Sequence, residues 1–63
     1  MGFKIRQLRK EKGLTQEELA QKSGVSRATI IGLENGTICI TTTATLIKIA
    51  TALGEKVGNI FLD

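Results

Sequence analysis

Few of the 63 residues are of a kind that performs covalent chemistry. Histidine is absent, which removes the commonest general base and metal ligand. The single cysteine, Cys39, has no histidine or second thiol to activate it or pair with it. The six carboxylates are scattered. Glycines 54 and 58 frame GEKVG, which lacks the preceding strand and the spacing of a phosphate-cradling loop. These absences predict no catalytic residue, no metal and no cofactor, hence no enzyme. The side chains still suited to a specific task are cations and amides. Arg27 follows Ser26 at the start of a helical pattern, and its guanidinium is a planar fork of donors suited to paired acceptors or to a phosphate. Gln16 opens the preceding helical pattern, where backbone N–H groups favour an anion; alternatively it serves only as a good helix former.

Charge placement bears on the same chemistry. Residues 1–35 carry seven bases (Lys4, Arg6, Arg9, Lys10, Lys12, Lys22, Arg27) against four acids (Glu11, Glu17, Glu18, Glu34). Residues 36–63 carry two of each, so the net +3 lies in the first half. A localised basic surface suits a polyanion, and a solvated helix face accounts for it equally well.

The elements that must position these groups are helical. There is no proline, and the only strand-like alternation is Ile38 to Ile40. A first helix is predicted over Gly2–Lys12, with Ile5 and Leu8 inward and Gly13 ending it. Thr15 and Glu18 form a capping box that starts a second helix, with Leu14 and Leu19 as its hydrophobic staple. Gly24 provides the left-handed exit. Ser26 caps a third helix, in which Val25, Ile30 and Leu33 face inward and Arg27, Ala28, Ile31 and Gly32 form an outward strip. Leu46, Ile49, Ala50 and Leu53 make one face of a fourth helix over Thr43–Leu53. A short fifth is expected over Val57–Leu62, weakened by Gly58 and Asn59. Two helices joined by so short a turn cross steeply, which is the helix-turn-helix geometry, with small Ala20 at their close approach.

The text IRQLRKEKGLTQEELAQKSGVSRATIIGLENG, residues 5–36, followed by TLIKIATALG, residues 45–54, resembles the Cro/CI-type (XRE) helix-turn-helix family, which includes phage repressors. The resemblance implies an all-α, compact five-helix bundle forming one domain over residues 1–63. It implies a sequence-specific transcriptional regulator, in particular a repressor, that binds double-stranded DNA as a homodimer. The recognition helix would be residues 27–34, lying in the major groove. The base-facing positions then fall on Arg27, Ala28, Ile31 and Gly32. The DNA-backbone positions fall on Gln16, Ser26, Thr29, Asn35 and Thr37. Arg9 and Glu34 match an internal ion pair. With Ala20, Gly24, Val25, Ile30 and Leu33, they are assigned structural roles.

Three departures from the family pattern stand out. The outward strip is unusually apolar, which throws specificity onto Arg27, methyl contacts and DNA shape. The loop Thr37–Thr41 carries no charge, and Ile38 and Ile40 either cap the core or form a protein contact. Cys39 reads as a small reduced apolar residue rather than a redox switch. Glu55 and Lys56 replace an apolar residue and a cap, which leaves the dimer geometry open. A second reading is therefore a protein-interaction or antitoxin-like module with a protein partner at Ile31, Ile38 and Ile40. A charged Met1–Lys12 without an apolar h-region, a lone cysteine and no membrane-length apolar run together predict a cytoplasmic protein with no membrane partner.

Overall fold

Hydroxyl side chains set three of the helix starts. The computed structural model describes residues 2–38 and 41–62. The first helix, α1 (Ile5–Glu11), begins without a side-chain cap. Before α2 (Gln16–Ser23), Thr15 Oγ1 accepts the Glu18 N–H at 3.0 Å and the Glu18 carboxylate accepts the Thr15 N–H at 2.8 Å. The Thr15 N–H and hydroxyl together hold the Glu18 carboxyl below the ordinary carboxylate range. Ser26 Oγ accepts the Thr29 N–H at the start of α3 (Arg27–Asn35). Thr42 Oγ1 does the same for Thr45 at the start of α4 (Thr43–Leu53). No described helix is long and apolar enough to cross a membrane.

The α2–α3 turn depends on Gly24, whose φ of +74° closes α2 as its amide donates to the Ala20 carbonyl. A β-carbon there would meet open space, so the constraint is backbone conformation and not crowding. Val25 then packs on the core and Ser26 caps the next helix. The sharp change of direction leaves α2 against both α3 and α4.

The core is assembled mainly on α4. Leu46, Ile49, Ala50 and Leu53 are buried along one face, joined by Ala52. They meet Ile5 and Leu8 from α1, Leu19 from α2, and Ile30 and Leu33 from α3. Ile60 completes the cluster from a 3₁₀ turn (Val57–Ile60). Leu14, Ala20 and Val57 pack at its margin.

The chain ends differ from the sequence expectation. Four α-helices and one 3₁₀ turn occur among the described residues, instead of five helices. Gly2–Phe3 forms β1 and not the start of α1; it pairs antiparallel with β2 (Phe61–Leu62), which replaces the end of the expected fifth helix. Phe3 and Phe61 are opposite each other, with ring centroids 5.7 Å apart. The Lys4 N–H adds a 2.7 Å bond to the Ile60 carbonyl. Gly58 and Asn59 give little support to a full helix, and the aromatic pair favours extended backbone at both ends.

Gly32 is a second correction. Its spacing puts it on the outward strip of α3, but it is buried. A β-carbon at Gly32 would lie 2.5 Å from Ile38 Cδ1 and 2.6 Å from Ile38 Cγ1. The Gly32 carbonyl also accepts the Ile38 N–H at 2.9 Å. The missing side chain thus lets the chain after α3 fold back onto the helix. The glycine costs about 1 kcal/mol of helix propensity, and Ile38 packs against the core in the space it leaves. Ile38 is therefore a core cap, whereas Cys39 and Ile40 lie outside the described residues.

Candidate nucleic-acid interface

A polar knot joins three parts of the fold that are distant in sequence. At its centre is Glu34, in the last turns of α3, with its side chain 0% exposed. Arg9 Nε donates to Glu34 Oε2 at 2.8 Å, and Arg9 Nη2 donates to Oε1 at 3.2 Å. The Gln16 amide donates to Oε1 at 3.1 Å, and Arg6 Nε reaches the same oxygen at 3.4 Å. The third Arg9 contact runs from Nη1 to the Leu14 carbonyl at 2.7 Å. One carboxylate thereby ties α1, the first turn of α2 and the end of α3, and Arg9 adds the α1–α2 connection through Leu14. Burial pushes the Glu34 carboxyl up, but its donors, led by Arg9 and then Gln16, outweigh that and hold it below the ordinary range.

This knot fixes how α2 meets α3, and so fixes what α3 presents outward. At the amino end, Ser26, Arg27 and Ala28 are exposed. Ile31 is half-buried one turn later. Thr29 is half-buried and accepts a 2.8 Å bond from the Ser26 hydroxyl. Arg27 Nη1 lies 3.9 Å from Glu17 Oε1, and the two side chains are 58% and 67% exposed. At the far end, the exposed Asn35 accepts the Thr37 N–H on its Oδ1 at 2.9 Å, which shapes the start of the following loop. The opposite side of α3 is buried through Ile30, Gly32 and Leu33. The outward strip is thus Arg27, Ala28 and Ile31, without Gly32.

The basic excess of the first half is partly consumed inside the fold. Arg9 is only 11% exposed, and Arg6 leans onto the same carboxylate. Lys12 pairs with Glu55 at 3.6 Å, which ties the end of α1 to the segment after α4. Counting charges along the chain therefore overstates the cationic surface. No group of three or more potential metal ligands occurs among the described residues.

The family profile described as helix-turn-helix matches residues 5–58. The chain belongs to the helix-turn-helix family. The matched span runs from the first residue of α1 into the 3₁₀ turn, so it includes every helix. This helix-turn-helix chain is 52% identical over 62 residues to a protein of Methanothermobacter thermautotrophicus, an alignment covering 92% of this chain and 84% of that one. It is 42% identical over 62 residues to a protein of Methanocaldococcus jannaschii, covering 98% and 92%. A shorter match to Archaeoglobus fulgidus is 56% identical over 36 residues, covering 57% and 51%. All three relatives bear the name uncharacterized HTH-type transcriptional regulator.

Two features of the helix-turn-helix unit escape sequence reasoning. The bond from Gln16 to Glu34 joins residues that no helical spacing connects. The Glu17–Arg27 approach crosses from α2 to α3 and depends on their crossing angle. The only hint in the sequence is that Glu18 is committed to the capping box. Glu17 is then the first-turn carboxylate without a local task.

Proposed function

We propose that this chain is a DNA-binding transcriptional regulator, a repressor acting as a homodimer, that reads double-stranded DNA with the amino end of α3 in the major groove. The observation that carries the reading is the contrast across α3. One side is locked into the core and the Glu34 knot, while Ser26, Arg27 and Ala28 stand exposed at the amino end. A rigid helix with an exposed guanidinium at its first position suits bidentate contact with a guanine. Family membership and relatives named as transcriptional regulators support the same reading.

Around that contact, Ala28 and Ile31 supply methyl surface for thymine. The Gln16 amide, already oriented by Glu34, stands at a helix N-terminus suited to a phosphate. Ser26, Thr29, Asn35 and Thr37 would follow the DNA backbone in this reading; Ser26 and Asn35 already serve a cap and a turn. Two copies would span half-sites about 34 Å apart. A protein-binding module built on Ile31, Ile38 and Ile40 has less support, because Ile38 packs onto Gly32 and the core.

Arg27→Ala tests the contact. On a duplex selected by the wild-type chain, the variant is expected to lose about 1–3 kcal/mol of binding free energy and to relax preference at one base position. Competition binding across single-base substitutions of that duplex reads both effects. A loss of equal size on every sequence would reassign Arg27 to phosphate and remove the base contact from the reading.

A further inference from the structure

We infer that Glu17 is a specificity-determining residue that works by positioning Arg27 and by opposing DNA that Arg27 does not match; the inference rests on the DNA-reading role of α3 proposed above. In the first turn of α2, Gln16 is drawn inward to Glu34, and Glu18 is folded back onto Thr15. Glu17 is the side chain of that turn that reaches the amino end of α3, where its Oε1 lies 3.9 Å from Arg27 Nη1. Both groups are more than half exposed, so in the free protein the pair is water-screened and weak. Docking changes its surroundings. A duplex against α3 excludes water, which strengthens charge interactions across the same distance.

Arg27 presents several donors in a rigid fork, so Glu17 can hold one edge while another faces a guanine. Glu17 also places a carboxylate beside the approach of phosphates. With the guanidinium paired and seated on its base, that carboxylate is compensated. On DNA lacking the base, Arg27 must either leave Glu17 to reach a phosphate or stay and make no contact. Either course leaves the complex weaker than a bare arginine would. The acid therefore lowers binding to unmatched DNA more than binding to matched DNA, a selection by repulsion.

The test uses the full chain, a duplex selected by the wild type from a random pool, and a random-sequence duplex, at one salt concentration. Glu17→Gln should bind random DNA about fivefold tighter. It should gain less than that on the selected duplex, so the ratio of the two affinities falls. Arg27→Ala leaves Glu17 uncompensated, so it should weaken random binding as well. Arg27→Ala combined with Glu17→Gln should restore random binding and leave the preference at that base position relaxed. The thermal midpoint of each variant should stay near wild type, since both side chains are exposed. A wild-type chain that binds both duplexes alike overturns the DNA-reading role and this inference with it. A discriminating wild type whose ratio is unchanged by Glu17→Gln overturns the inference alone. So does a double variant no tighter on random DNA than Arg27→Ala.

Discussion

Replacing Glu34 with alanine is expected to lower the free energy of unfolding by about 3 kcal/mol. The cost comes from what remains. Arg9 keeps its bond to the Leu14 carbonyl but loses both carboxylate acceptors while 11% exposed, and Gln16 loses the acceptor that orients it. A domain of this size has a total stability of about 3–9 kcal/mol, so the variant is at best marginal. Denaturant titration measures it, as a lower midpoint with an unchanged slope. The pH dependence has a fixed sign. Because the folded Glu34 carboxyl lies below its ordinary value, its stabilisation is present above that value, near 4.5. It is lost as pH falls through the lower, folded value. Glu34→Gln should flatten this acid-side decline. Some of the decline should persist, because the Glu18 carboxyl is also lowered by its cap.

The second large effect is expected at Ile49. Its side chain is fully buried on the inward face of α4, within the cluster that α1, α2 and α3 all join. Ile49→Ala should cost about 2–5 kcal/mol, from lost burial plus the cavity left behind. With so little total stability, much of the variant population should be unfolded at room temperature by circular dichroism. Ile47 on the same helix is 47% exposed, and Ile47→Ala should change stability by less than about 0.5 kcal/mol. The pair tests whether the periodic apolar face of α4, and not its general hydrophobicity, holds the bundle together.

Most of the helical frame was legible before the structure, because its signals are local. Thr15 with Glu18, and Ser26, each mark a helix start through hydrogen bonds spanning three residues. Gly24 marks a turn through its own backbone, and the spacing of Leu46, Ile49, Ala50 and Leu53 marks a buried face. What escaped is set by tertiary contact. Two-residue strands are too short to show alternation, and β1 and β2 pair the two ends of the chain. Gly32 sits one residue before inward Leu33, and periodicity alone placed it outside. Its burial comes from Ile38, which returns after the end of α3. Gln16 was readable as a helix-start residue, but its link to Glu34 exists only once α2 and α3 have crossed.

The same division holds for the candidate interface. The exposed start of α3 could be located from Ser26 and the turn before it. Which outward residues remain available needed the packing: Arg27, Ala28 and Ile31 stay on the strip, and Gly32 leaves it. Losing Gly32 narrows the surface and concentrates its polar function at the end of the helix where Glu17 also stands.

The most direct measurement is the affinity of the wild-type chain for a duplex it has selected from a random pool, against a random-sequence duplex at the same salt concentration. The fixed, one-sided presentation of α3 predicts a preference of at least about a thousandfold. Equal affinity for the two duplexes would contradict it, and would leave the basic first half as a non-specific polyanion surface.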